Sequence, residues 1–336
     1  MRRIAPVLAQ AQTLAERPIG FPGFNALPLK GSVLAGGDHP YFAVLVAGSG
    51  PTDRDWSNPL IPMPSHGGRD FARWLQDQGI GSLRFDKRFI GSKDATLDIS
   101  LDAQVGDIRA AMQAARKLPE ARGRKLLLIG HSEGALLSLL AAQDSDALLL
   151  IGLPGQSLRR QILDQVRMQF EKGGLAADLT KKNMGYLEAG LEALASGREI
   201  PSAGEGVLPA LGGLLKQLGR PESLSFFRAT MDLDPWRLAA RVAVPHAAAW
   251  GDRDVQSWKP LVPPSFKGAV IDLPGANHLL KRETRPLAQL SGANAGTAYG
   301  DSTPLADLAP LAEWLANLKG TPRAAASSID RPKEAP

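Results

Sequence analysis

"LLLIGHSEGALLSLLAA", Leu126 to Ala142, decides how the chain is read. An apolar run suited to a strand buried on both faces enters Gly130-His131-Ser132-Glu133-Gly134 and leaves as a Leu/Ala-rich helical run. A serine hydroxyl is a poor nucleophile and has to be presented, exposed, to a base. A sharp strand-to-helix bend does this but forces strained backbone angles and crowds the neighbours. Glycines two before and two after the serine remove the Cβ atoms that would clash. The N–H of Glu133 then opens a helix, where it faces a developing oxyanion. The alternative is a Gly-rich turn with an incidental serine; the strand before it and the helix after it argue for the bend.

Outward from this bend, strands and helices alternate. "GSVLAG" (31–36) and "YFAVLVAG" (41–48) are strand-like, separated by a glycine turn. "FARWLQDQGI" (71–80) has helical spacing, "GSLRFDKR" (81–88) is a short strand, and Asp102 to Leu118 reads as an amphipathic helix stopped by Pro119. "DALLLIGLPG" (146–155) is the next buried strand. Such alternation predicts βαβ units and a mostly parallel sheet flanked by helices. It stops after Pro154-Gly155. Residues 156–235 hold only helical patterns and read as a helical insertion. The runs "VAVPHAAAW" (242–250) and "AVIDL" (269–273) resume the strands, and Leu305 to Leu318 closes with a helix. The expected organisation is an N-terminal extension over 1–29, a core formed by 30–155 and 236–320, the insertion over 156–235, and a polar Ala/Pro-rich disordered tail over 321–336.

Composition narrows the chemistry. The 336 residues are 44% hydrophobic and carry a net charge of +5, spread along the chain. The densest basic patch, Arg122 to Lys125, reads as a solvated turn. Aromatics make up 6% and do not interleave with basic residues, so a nucleic-acid surface is not expected. The chain has no cysteine, which removes disulfides, thiolate catalysis and cysteine metal sites. No His pair has helical metal-ligand spacing and no glycine loop has the phosphate-binding pattern, so neither a metal nor a cofactor is expected. No apolar stretch is long enough for a membrane span. The start, "MRRIAPVLAQAQTLAERP", is interrupted by Gln10 and Gln12, and reads as a helix ending near Arg17-Pro18 rather than an export signal.

A presented serine needs a base, and the base needs an orienting acid. Elbow serines of this kind are followed along the chain by the acid and then the histidine. Of the five histidines only His246 and His278 follow Ser132. His246 lies inside an apolar strand run and reads as core; His278, in the loop "LPGANHLLK" after "AVIDL", is the base candidate. The acid is Asp254 or Asp252 in "AAAWGDRDVQ"; Asp252 suits a turn cap, and Asp254 reaches further toward the site. A second oxyanion donor is expected from the turn after an early strand, Ser49 N–H in "VLVAGSGPTDRD" (44–55), beside Glu133 N–H.

These segments resemble the α/β-hydrolase superfamily, in particular bacterial serine esterases of the branch that includes serine aminopeptidases and monoacylglycerol-lipase-like enzymes. The resemblance is carried by "GSGPTDRD" (48–55), "LRFDKRFIGSK" (83–93), "GHSEGA" (130–135) and "GDRDVQ…GANHLLK" (251–281), in that order, and covers about 30 to 320. It implies Ser132 as nucleophile, Asp254 as acid, His278 as base, Ser49 and Glu133 N–H as the oxyanion hole, and the insertion as a lid. The chain departs from the pattern at Ala47, where many relatives carry histidine, and at Phe89-Ile90, which predict a more apolar mouth to the site. Asp86 and Arg88 read as a structural charge pair. The implied activity is serine-dependent carboxylesterase action on a small-molecule acyl ester. A serine aminopeptidase or an acyl thioesterase would use the same three residues, and a non-catalytic binding protein would use the same scaffold. An aminopeptidase would need acidic residues beside Ser132 to hold an α-ammonium. Apolar lid residues Met168, Phe170, Phe226 and Phe227 are expected to line an acyl pocket or pack lid against core.

Overall fold

The long apolar runs become strands with helices on both faces. The computed structural model describes residues 16–59, 65–90, 92, 94, 96–291 and 294–320. One sheet of eight strands has the order β1-β2-β4-β3-β5-β6-β7-β8. The strands are β1 (Arg17–Pro22), β2 (Pro28–Leu34), β3 (Tyr41–Val46), β4 (Gly81–Phe85), β5 (Lys125–His131), β6 (Ala147–Ile151), β7 (His246–Gly251) and β8 (Ala269–Leu273). β1 and β2 join antiparallel at one edge, and β4, β3, β5, β6, β7 and β8 run parallel. β3, β6 and β7 are buried along their whole length. Side chains alternate between the faces, so neighbours in one strand serve different cores. Val44, Leu128 and Leu150 meet Ile108 and Met112 of α2 (Leu101–Arg116) and Leu137 of α3 (Glu133–Ala141). Leu45, Leu127 and Leu149 meet Phe71 and Leu75 of α1 (Gly67–Asp77) and Leu311 and Leu315 of α9 (Ala309–Leu318).

Between β6 and β7 lie α4 (Leu158–Lys172), α5 (Ala177–Ser196), α6 (Pro209–Leu218), α7 (Pro221–Thr230) and α8 (Pro235–Ala239). Their apolar faces close on one another: Leu163, Val166, Leu187, Leu191, Leu215, Phe227 and Met231 form a separate cluster. The insertion therefore has a core of its own. Among the described residues no helix is long and apolar enough to cross a membrane.

Two expectations need correction. The sheet begins at Arg17, inside the stretch read as an extension. β1 is a short edge strand, half of its residues exposed, with Pro18 near its start and Pro22 at its end, so it lacks the apolar run that marks a buried strand. The helix expected over the first residues and the tail over 321–336 lie outside the described residues. Asp86 and Arg88 also do not pair with each other. A turn closes just after β4, with Ile90 N–H donating to the Lys87 carbonyl, and the two side chains take separate partners. Asp86 accepts two bonds from the Arg54 guanidinium, at 2.5 and 3.0 Å. Arg88 grips Asp107 of α2 through bonds of 2.8 and 2.9 Å, with both groups buried.

Candidate active site

At the end of β5 the chain makes the bend that the glycines allow. Ser132 sits at φ 55° and ψ −122°, a conformation a side chain adopts only under strain. A Cβ on Gly130 would come 2.4 Å from the Gly134 carbonyl, and one on Gly134 would come 2.5 Å from the Ala47 carbonyl. The two glycines thus let the strand, the start of α3 and the end of β3 close on one another.

The other candidate residues arrive from neighbouring strand ends. Asp254 follows β7 and His278 follows β8; Oδ2 of Asp254 lies 2.7 Å from Nδ1 of His278. Oδ1 of Asp254 accepts from the N–H groups of Gln256 and Ser257, at 2.8 Å each. The carboxylate is therefore held from both sides, at 4% exposure. Asp252 lies elsewhere: its Oδ1 accepts from Gly275 N–H at 2.7 Å, which makes it a turn residue. His246 is buried and bonds through Nδ1 to the Val244 carbonyl. Ser49 is exposed in the turn after β3, where its carbonyl accepts from Thr52 Oγ1. That turn runs beside the bend, since a Cβ on Gly48 would stand 3.3 Å from Ser132 Cβ. Glu133 is the first residue of α3, whose opening N–H groups have no partner within the helix.

Ser132, His278, Asp254, Ser49 and Glu133 all line one cavity of about 680 Å³, roofed by α4 and α7. Among the described residues no hydrogen bond joins Ser132 Oγ to His278; the two share the cavity at its floor. Of the apolar residues of the insertion singled out in the sequence, Met168 and Phe226 line the cavity, whereas Phe227 and Phe170 pack within the insertion. Phe89 and Ile90 are not among the lining residues, which corrects the expectation of an apolar mouth there.

Several site residues had no assigned part in the sequence reading. His131, next to Ser132, stacks on Trp56 at 4.3 Å and lies 4.7 Å from the His278 ring. Its Nε2 is 2.7 Å from the His278 carbonyl, which can only accept, so Nε2 carries the proton. The bond ties the bend to the loop bearing His278. Asn277 Oδ1 accepts from Leu279 and Lys281 N–H and shapes that loop, which Lys281 pins to Asp70 of α1 at 2.6 Å. A polar residue inside the quoted apolar run was a signal for His131; nothing local marks the others.

Burial, helped by the nearby His278 ring, holds the His131 imidazole well below the ordinary histidine range, so it is neutral in the fold. Half-buried His39 shifts the same way, chiefly through burial. The unfolded chain takes up protons below about pH 6.5 that these folded imidazoles refuse. Their contribution is thus complete above that value and is lost as pH falls. Chemical denaturation at pH 7.5 and 5.5 should show a larger drop for wild type than for His131→Phe; equal drops would contradict the assignment.

Lys87, nearly buried after β4, bonds Oε1 of Glu133 at 2.9 Å. A free carboxylate beside the first N–H of α3 would repel negative charge forming there, and Lys87 cancels that field. Lys87→Met should lower kcat about tenfold, or ~1.4 kcal/mol in the barrier. Adding Glu133→Gln should recover most of the loss; steady-state rates of the single and double variants check this, and a double variant no faster than Lys87→Met would refute it.

No family model and no curated protein sequence matches the chain. Solved structures do. It is similar to the alpha/beta hydrolase GrgF from Penicillium sp. sh18, at 18% identity over 79% of this chain and 92% of that one, with a TM-score of 0.47. It is similar to the Pyrococcus furiosus esterase Pf2001, at 14% identity over 82% and 86%, TM-score 0.46. Est1E from Butyrivibrio proteoclasticus, solved with ferulic acid bound, matches at 17% identity over 80% and 93%, TM-score 0.48. The strand order, the antiparallel edge and the positive-φ serine between β5 and α3 define the class without them: this is the α/β-hydrolase fold.

Proposed function

We propose that the protein is a serine hydrolase acting on carboxylic esters through an acyl-enzyme. Ser132 Oγ attacks the acyl carbonyl while Nε2 of His278 takes its proton. The N–H groups of Ser49 and Glu133 bind the tetrahedral oxyanion. Asp254 keeps the proton of His278 on Nδ1 and stabilises the imidazolium. His278 then protonates the departing alcohol, and a water activated by the same ring hydrolyses the acyl-enzyme. The observation that supports this reading best is the 2.7 Å Asp254–His278 bond in the cavity that also holds the strained Ser132. The helices over 156–235 act as a lid, contributing the roof of the cavity.

The aminopeptidase reading has less support. The carboxylates lining the cavity are Asp254, engaged by His278, and Glu133, engaged by Lys87. Glu171, Glu188, Glu192, Glu199 and Glu205 of the insertion do not line it. Among the described residues, a substrate α-ammonium would thus find no free acid lining the cavity. Turnover of p-nitrophenyl acyl esters set beside aminoacyl p-nitroanilides tests the choice. The expected result is ester cleavage with little or no release from the anilides; faster anilide cleavage would reverse it.

A further inference from the structure

α4 lines the cavity with Leu158, Ile162 and Met168 and, beside them, with a row of polar side chains. Gln161, Gln165 and Gln169 all face the cavity, four residues apart, and Lys172 extends the row to the end of the helix. Residues at this spacing form one stripe, with steps of about 6 Å and a run of roughly 16 Å from Gln161 to Lys172. Among the described residues, none of the three carboxamides has a hydrogen-bond partner and Lys172 has no ion pair. Each carboxamide both donates and accepts. An alkyl chain laid along this stripe would strip water from these groups and return nothing.

The cavity also presents Phe226 and Trp258, so its occupant meets apolar surface as well as the polar stripe. An extended chain of amides repeats its same-side N–H and C=O groups every two residues, about 6.6 Å, close to the step between the glutamines. Leu287 and Leu290 of the loop after His278 also line the cavity.

Resting on the esterase reading above, we infer that the preferred substrates are esters whose acyl portion is extended, carries amide groups along one edge, and ends in a carboxylate that meets Lys172. Peptide-like or N-acylated amino-acid chains have this chemistry; simple fatty acyl chains do not.

Three p-nitrophenyl esters of equal length test it: a plain alkanoyl ester, one with amides in the chain, and one with the same amides and a terminal carboxylate. The amide-bearing acid should exceed the plain ester about tenfold in kcat/KM at low salt, with the gain mostly in KM. Gln165→Leu should shrink the ratio between the amide and plain esters toward one. Lys172→Met should do the same for the ratio between the charged and uncharged amide esters, as should raised salt. Hydrolysis of all three at similar kcat/KM would overturn this inference and leave the esterase reading standing. Hydrolysis of none would instead remove the esterase reading on which it rests.

Discussion

Replacing Ser132 with alanine should lower kcat on any turned-over ester by about 10⁴-fold or more, with the fold intact. The size follows from the roles proposed: without the nucleophile, His278 and Asp254 have nothing to activate, and only the oxyanion donors and binding remain. The bend offers a second, independent readout. Ser132 is held at φ 55° and ψ −122°, where alanine is as strained as serine but glycine is not. Ser132→Gly should therefore be as inactive as Ser132→Ala yet more stable than it, by about 1 kcal/mol after the glycine's greater unfolded-state freedom is subtracted. Urea unfolding midpoints compare them. Alanine activity within tenfold of wild type would refute the role given to Ser132, and equal midpoints would refute the strain.

Asp254→Asn should be nearly as severe, at about 10⁴-fold in kcat with KM little changed. The hydrogen bonds of the wild-type carboxylate say why. Its Oδ1 is fixed by the N–H groups of Gln256 and Ser257, so an asparagine must place its carbonyl oxygen there. The –NH₂ then points at Nδ1 of His278, where the carboxylate oxygen stood at 2.7 Å. A donor in that place forces the ring proton onto Nε2, the nitrogen that has to receive the serine proton. Asp252→Asn serves as the control, because its remaining carbonyl oxygen still accepts from Gly275 N–H. Comparable losses in the two variants would contradict the assignment of the acid.

What the chain discloses before folding is whatever depends on local pattern. Leu126 to Gly134 announces a buried strand, a bend and a helix because each needs only its own residues, and the helices of the insertion show in their periodicity. His278 and Asp254 stand out by order along the chain. Partners brought together by the sheet do not stand out. Asp86 and Arg88 lie two residues apart and look like a pair, but the turn at Ile90 sends one to Arg54 and the other to Asp107. Lys87 and Glu133 are 46 positions apart and meet only because β4 and β5 both flank β3. β1 escapes notice for the opposite reason: an exposed edge needs backbone partners more than apolar side chains, and Pro18 and Pro22 read as loop.

The most direct test of the central claim is covalent. Treating the protein with a fluorophosphonate and mapping the adduct by peptide mass spectrometry should place a single phosphonyl group on Ser132, formed far more slowly in an Asp254→Asn variant. An unlabelled wild-type protein, or an adduct on another serine that persists in Ser132→Ala, would contradict the account.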